Sequence, residues 1–317
     1  MAGFIAKRLL LLVPTAWAIV TLAFFAMKLA SGSAVNFLLQ VNRTPAAVAA
    51  LNHRLGLDRP ILVQYVTWVE GAVRGNLGHS WATGGSISQQ ISAQAAPTFE
   101  LILAGLILAL VLSIPAAIWA ATQENRATDF VVRTLAAAGI SLPTFWLGLL
   151  LVLLFAVKLR WLPSGGYVPF TTSPIQNLEH LALPAVTLAA PLAGIFTRML
   201  RASMLDALKS DHVRTAEAKG VPARLIVRRH AFRCALLPSI TILGLQIGYL
   251  MVGTIILSQV FGWPGFGQYL LQGIYARDTP VIQAMLLVYG LFFAIVNIAV
   301  DIIYGIADPR VRQVQRA

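Results

Sequence analysis

Apolar residues along this chain come in long uninterrupted runs separated by short polar and basic stretches, with neither strand-like alternation nor a single amphipathic stripe. Six runs stand out, at 9–30, 99–122, 130–157, 181–205, 236–260 and 281–306. A helix rises about 1.5 Å per residue, so about 20 apolar residues cross a hydrocarbon core roughly 30 Å thick. The pattern predicts an all-α integral membrane protein with six transmembrane helices, and the even count puts both termini on one side. The first run follows Lys7 and Arg8 and is longer than the apolar core of a cleaved signal peptide, so it reads as an uncleaved span.

Three units follow: 1–98, the first span with an external segment; 99–306, a five-helix core containing a cytoplasmic loop at 206–233; and a tail, 307–317. The external segment is polar by comparison, with a short amphipathic helix expected at 45–57, and is too small to hold a catalytic domain. Pro14, Pro115, Pro143, Pro184 and Pro191 fall inside spans and Pro238 opens the fifth, each favouring a kink. Ala136, Ala137, Ala138, Gly139 and Ser141 suit close helix crossings, either as ordinary packing or as part of a moving pore.

Composition agrees: 58% of the 317 residues are hydrophobic, only 11% are charged, and mean hydropathy is +0.76. A net charge of +12 in a soluble protein would suggest nucleic acid, but here the cations sort by side. Sixteen lie on the side of the termini and of the 206–233 loop, and seven on the other. Lys/Arg bias therefore makes the first side cytoplasmic and removes the nucleic-acid reading. Lys28, near the outer end of the first span, reads either as snorkelling to the headgroups or as lining a pathway. The single Cys234 makes no intramolecular disulfide and reads as a small buried apolar residue.

Catalytic chemistry finds no foothold. Of twelve acids only Asp301 lies well within a span, four residues after Asn297, where a structural ion pair or a proton relay would use it; Glu100, Glu179 and Asp206 fall near span ends as caps or interfacial residues. His53, His79, His180, His212 and His230 are scattered, with no HExxH, no Cys/His cluster and no paired acids, so no catalytic, cofactor or metal site is expected. No GxxxxGK[ST] phosphate loop is present, so energy must come from an ion gradient or from a partner.

The informative stretch is the loop from Asp206 to Arg233, which reads as helix, glycine turn, helix. Ala207, Leu208, Val213, Ala216 and Ala218 give the first helix a small or apolar surface, Gly220 permits positive φ, and Pro222 suits the first turn of the second. Lys209, Arg214, Lys219, Arg224, Arg228 and Arg229 flank it, which fits a surface docking a soluble partner or a basic loop facing anionic lipid.

At this loop the chain resembles the membrane-spanning subunits of binding-protein-dependent ABC importers, in the dipeptide, oligopeptide and nickel permease family, over essentially its whole length. That family's E-A-A-x-x-x-G pattern is met by Arg214-Thr-Ala-Glu-Ala-Lys-Gly220 at Ala216 and Gly220, with Arg and Thr in the first two places. Leu55-Gly-Leu-Asp-Arg-Pro60, Leu200-Arg-Ala-Ser-Met-Leu-Asp206, Phe261-Gly-Trp-Pro-Gly-Phe-Gly267, Arg277-Asp-Thr-Pro-Val-Ile-Gln283 and Asp308-Pro-Arg310 follow in order.

The resemblance implies a type I ABC importer permease in a bacterial cytoplasmic membrane. It implies a coupling site at Arg214, Thr215, Ala216, Glu217, Ala218, Lys219 and Gly220, seated in an ATPase cleft. The implied partners are a second homologous permease subunit, two ATPase subunits that bind ATP and Mg, and an extracytoplasmic substrate-binding protein; this chain itself holds no cofactor. Trp263, Pro264, Gly265 and Gly267 form an aromatic-rich outer turn, read as an external gate or as an interfacial anchor. Phe145-Trp-Leu-Gly-Leu-Leu-Leu151 and Trp161-Leu-Pro-Ser-Gly-Gly-Tyr167 look more like nickel or metallophore permeases than dipeptide ones, so cargo stays open between peptides and chelated nickel. The rivals are an ion-coupled secondary transporter, which needs buried acids or an inverted repeat, and a membrane-embedded enzyme or receptor scaffold, which needs a catalytic cluster or a large soluble domain.

Overall fold

The computed structural model describes residues 2–29 and 44–307. Among them the chain is a succession of helices: α1 (Ala2–Leu29), α2 (Pro45–Arg54), α3 (Ile61–Val73), α4 (Ile87–Thr122), α5 (Ala127–Ser141), and α6 (Thr144–Leu151), which runs on through a π-helical stretch, Val152–Lys158. Then come α7 (Pro174–Leu208), α8 (Asp211–Ala218), α9 (Ala223–Leu225), a second π-helical stretch (Ile226–Ala231), α10 (Phe232–Phe261), α11 (Phe266–Tyr275) and α12 (Thr279–Ala307). Helix starts follow local chemistry: Thr44, Ser86 and Ser173 accept from the backbone N–H three residues on, and Pro45 and Pro174 open their helices.

Among the described residues five helices are long and apolar enough to cross a bilayer, six if the broken pair Ala127–Ser141 and Thr144–Lys158 counts as one crossing. The break, a bend of 106°, falls where Leu142 takes an extended conformation ahead of Pro143, as a residue before proline must. Pro14, Pro97, Pro115, Pro184, Pro191 and Pro238 stay inside continuous helices.

The main core lies between α4, α7 and α10, closed on the outer side by α11 and α12, with Leu101, Leu188, Met251, Leu257, Phe261, Trp263 and Met285 fully enclosed. A second cluster toward the cytoplasmic end joins Ala117 and Ala121 of α4, Phe196, Leu200 and Met204 of α7, and Ala231 and Ala235. Small residues let backbones touch: a Cβ on Gly194 would meet the Ala136 carbonyl at 2.5 Å, and one on Gly139 the Ala190 carbonyl at 2.8 Å, which joins α5 to α7.

Outside the core, α1 packs along α12 and meets α3 through Phe24, Phe25, Tyr65 and Trp68. The helix expected at 45–57 forms as α2, at Pro45–Arg54 with no residue fully buried, while α3 is held to α1 by its aromatic contacts. The Lys28 ammonium donates to Gln64 Oε1 (2.6 Å) and sits 5.7 Å from the Phe24 ring centre. Cys234, expected inside, is exposed. The buried stripe there is Ala231, Ala235 and Ser239, spaced by four, and Cys234 lies one residue, about 100°, off it. Asp301 is half-buried, while Asn297 donates to the Phe293 carbonyl of its own helix. Asp308-Pro-Arg310 lies outside the described residues.

Candidate coupling surface and outer hub

The loop between α7 and α10 is a compact two-helix unit. Ser210 precedes α8 and Asp211 opens it, placing a negative charge at the positive helix end. At its other end the Gly220 N–H donates to the Glu217 carbonyl (2.9 Å) and the Val221 N–H to the Ala216 carbonyl (3.1 Å), the paired bonds of a Schellman turn. Gly220 has φ of +74°, a conformation that costs any residue with a Cβ. Val221 then packs on Ala216, and both join Val213 and Ile226 in a small core of their own.

The motif therefore divides in two. Ala216 is buried and, with Gly220, builds the turn; Arg214, Thr215, Glu217, Ala218, Lys219 and Gly220 form the exposed surface. The small-residue ridge expected to face outward thus loses Ala216 and Val213 to the interior. Pro222 flanks the second helix as its N-cap rather than entering its first turn. Lys209 donates to Glu124 (3.0 Å), and Arg224, Arg228 and Arg229 stay exposed.

This unit connects to the bundle with little slack. Only Lys209 and Ser210 separate α7 from α8, and the π-helical stretch runs directly into α10. Beside it, Arg201 of α7 grips Asp129 at the start of α5 with two bonds of 2.6 Å, and Asp129, only 1% exposed, also accepts from the Asn125 N–H (3.0 Å). A push on the loop reaches α7 and α10 directly and α5 through this pair. Arg201 lies in the Leu200–Asp206 stretch, but the sequence does not point to Asp129 as its partner, since the two lie 72 positions apart with no local pattern to join them.

On the outer side, Gly262 (φ +60°) and Gly265 (φ +143°) reverse the chain between α10 and α11. Trp263 is 2% exposed and faces protein, not headgroups: its Nε1–H donates to the Pro97 carbonyl (3.0 Å) and Tyr167 packs edge-on against its ring. The Phe266 N–H donates to Thr98 Oγ1 (2.8 Å), which leaves no room for a Cβ on Gly265. Gly267 lies against the backbone of Thr254 and Ile255. The Gly166 N–H donates to the Phe261 carbonyl (2.8 Å), and Glu100 accepts from the Tyr167 hydroxyl (3.0 Å) and from Asn177. Glu100 is thus a brace between α4, α7 and the 159–173 loop rather than a cap. Burial, and the Glu100 carboxylate beside it, push the Tyr167 phenol up to about 12. Trp263, Gly265 and Gly267 are gathered into this hub, with half-buried Pro264 between them.

A second outer clasp was also missed. Asp278, 2% exposed, accepts from the Ser80 hydroxyl and from the backbone N–H groups of Trp81 (3.2 Å) and Ala82 (3.1 Å), fastening the external loop to the α11–α12 turn. Its Asp-Thr-Pro setting announces a helix start, but the carboxylate turns away to residues nearly two hundred positions upstream. Among the described residues no three His, Cys, Asp or Glu side chains gather as a metal site.

Residues 113–313 match the family model described as binding-protein-dependent transport system inner membrane component, and residues 1–93 match that for the N-terminal part of such membrane components. The chain is 35% identical over 312 residues to the glutathione transport system permease protein GsiC of Escherichia coli K12, covering 98% of this chain and 99% of the relative. The Salmonella choleraesuis GsiC is 36% identical over the same length. A solved structure, the MetNI methionine ABC transporter in an inward-facing conformation, superposes with a TM-score of 0.59 at 16% identity, covering 69% of this chain and 97% of that one, which shows a shared fold.

Proposed function

Because this chain belongs to the binding-protein-dependent transport system inner membrane component family, we propose that it forms one half of a heterodimeric pore that imports small peptides by alternating access. It is a permease subunit of an ABC importer, a multi-pass inner-membrane protein and not an enzyme. That membership answers the ion-coupled alternative and implies ATPase and substrate-binding partners. The proposal adds a second homologous permease and two ATPase subunits, with ATP and Mg held by the latter.

One observation carries the coupling role of Arg214, Thr215, Ala216, Glu217, Ala218, Lys219 and Gly220: a rigid Schellman-turned unit with an exposed basic surface joins two core helices with little slack. Force applied there by an ATPase moves helices rather than loosening a loop. The Trp263, Pro264, Gly265 and Gly267 turn acts as part of the external gate, because α4, α10, α11 and the 159–173 loop meet around it on the outer side. Relatives named as glutathione permeases support a peptide cargo. Chelated nickel or a metallophore is the second reading, supported by the Phe145–Leu151 and Trp161–Tyr167 stretches; growth on peptides against growth on chelated nickel separates the two.

The test compares Gly220→Ala with Gly220→Arg in the assembled transporter. A Cβ at Gly220 meets no atom within 4 Å, so alanine brings only the cost of positive φ, about 1 kcal/mol, and keeps most transport. Arginine adds bulk to the docking face and should abolish substrate-stimulated ATP turnover and ATPase co-purification. Unchanged turnover and recruitment in Gly220→Arg would remove the coupling assignment.

A further inference from the structure

Apart from the hub and the loop, the outer side holds a cavity of about 350 Å³ between α1, α3, the 55–59 turn, the 76–81 loop and the start of α12, a size suited to a small ligand. Gln64 builds one wall: its Oε1 takes the Lys28 ammonium, and its Nε2 donates to the Leu57 (3.1 Å) and Arg59 (2.7 Å) carbonyls. The Asp278 clasp fixes the loop that contributes His79 and Trp81 to the lining.

Two donors lining this cavity have no acceptor among the described residues: the Trp68 indole Nε1–H and Gln283 Nε2, the latter on a side chain only 7% exposed. Buried N–H groups are rarely left so, and an indole nitrogen can only donate. Lys28 and Arg59 add positive charge, and among the described residues no Asp or Glu lines the space. Phe24, Trp68 and Trp81 make the remaining wall apolar. Convergent donors, net positive charge and aromatic walls define a receptor for an organic anion.

We propose that this cavity binds a carboxylate of a small peptide on the outer side of the membrane, with Trp68 and Gln283 donating to its oxygens. Lys28 and Arg59 supply the field that draws the anion in, and the aromatic walls hold the adjoining apolar part. The inference rests on the peptide-importer reading for its choice of ligand. An acidic side chain of a docked binding protein would offer the same chemistry, so the experiment leaves that protein out.

The assembled permease pair with its ATPases, in nanodiscs of zwitterionic lipid, is titrated calorimetrically with glutathione and with its diethyl ester, without ATP. The acid is expected to bind and the ester to bind at least about tenfold more weakly; Trp68→Phe, which keeps the ring and loses the N–H, and Gln283→Leu are each expected to weaken the acid about tenfold. Trp68→Phe gives up no existing hydrogen bond, so its melting temperature should match the parent and exclude a folding artefact. Absence of acid binding, equal binding of acid and ester, or a wild-type affinity in Trp68→Phe overturns the proposal. Peptide-dependent growth of cells carrying the transporter is scored alongside: growth without acid binding overturns the site alone, whereas no peptide-dependent growth in the parent removes the importer reading.

Discussion

The side chains with the largest consequences are those whose partners lie far along the chain. Asp129 and Arg201 form a buried ion pair, so Asp129→Ala strands a guanidinium and should cost about 3–5 kcal/mol in a melt of the detergent-solubilised protein. Asp129→Leu combined with Arg201→Met removes both charges and should recover much of that loss. Tyr167 gives a pH signature. Its folded pKa lies above the ordinary tyrosine value of about 10, so the stability it contributes is full below pH 10 and is lost as pH climbs toward 12. Phenolate absorbance at high pH should lose one late-titrating component in Tyr167→Phe, along with the alkaline destabilisation tied to it. Such long-range pairs have no sequence signature. Asp278 sits in a quoted motif, yet nothing near it names Ser80, and Trp263 reads as an interfacial residue until Pro97 and Tyr167 are seen around it.

At the scale of helices, much was readable because the physics is local. Runs of apolar residues had to become spans, and the span ends agree within several residues except where α1, α4 and α7 begin well ahead of the apolar run. The 206–233 loop was legible as helix, glycine turn and helix because Gly220 and Pro222 mark its joints. Which face of α8 turns inward was not, since small residues occur on both faces and only the packing of Ile226 and Val221 chooses Val213 and Ala216. The α5–α7 contact tests the small-residue argument. Gly194→Val would drive its branched side chain into the Ala136 carbonyl and the Ile140 side chain, and should destabilise the protein by about 1–3 kcal/mol, measured by thermal melting.

For the whole molecule, orientation rests on the distribution of cations, and the exposed thiol of Cys234 offers a direct check. With no other cysteine in the chain, a membrane-impermeant maleimide should label it in inside-out vesicles from cells expressing this chain alone, and leave it unlabelled in right-side-out ones. The reverse result would invert the assigned topology. The broken span has a different kind of consequence, one for biogenesis. Each of its arms, Ala127–Ser141 and Thr144–Lys158, holds 15 residues, about 22 Å of helix, short of a hydrocarbon core of roughly 30 Å. Neither arm can insert as a self-sufficient unit, and α7 arrives only later from the ribosome to cover both. In a nascent chain ending at Ser173 this pair should therefore stay open to added protease, whereas extension through Leu208 should protect it.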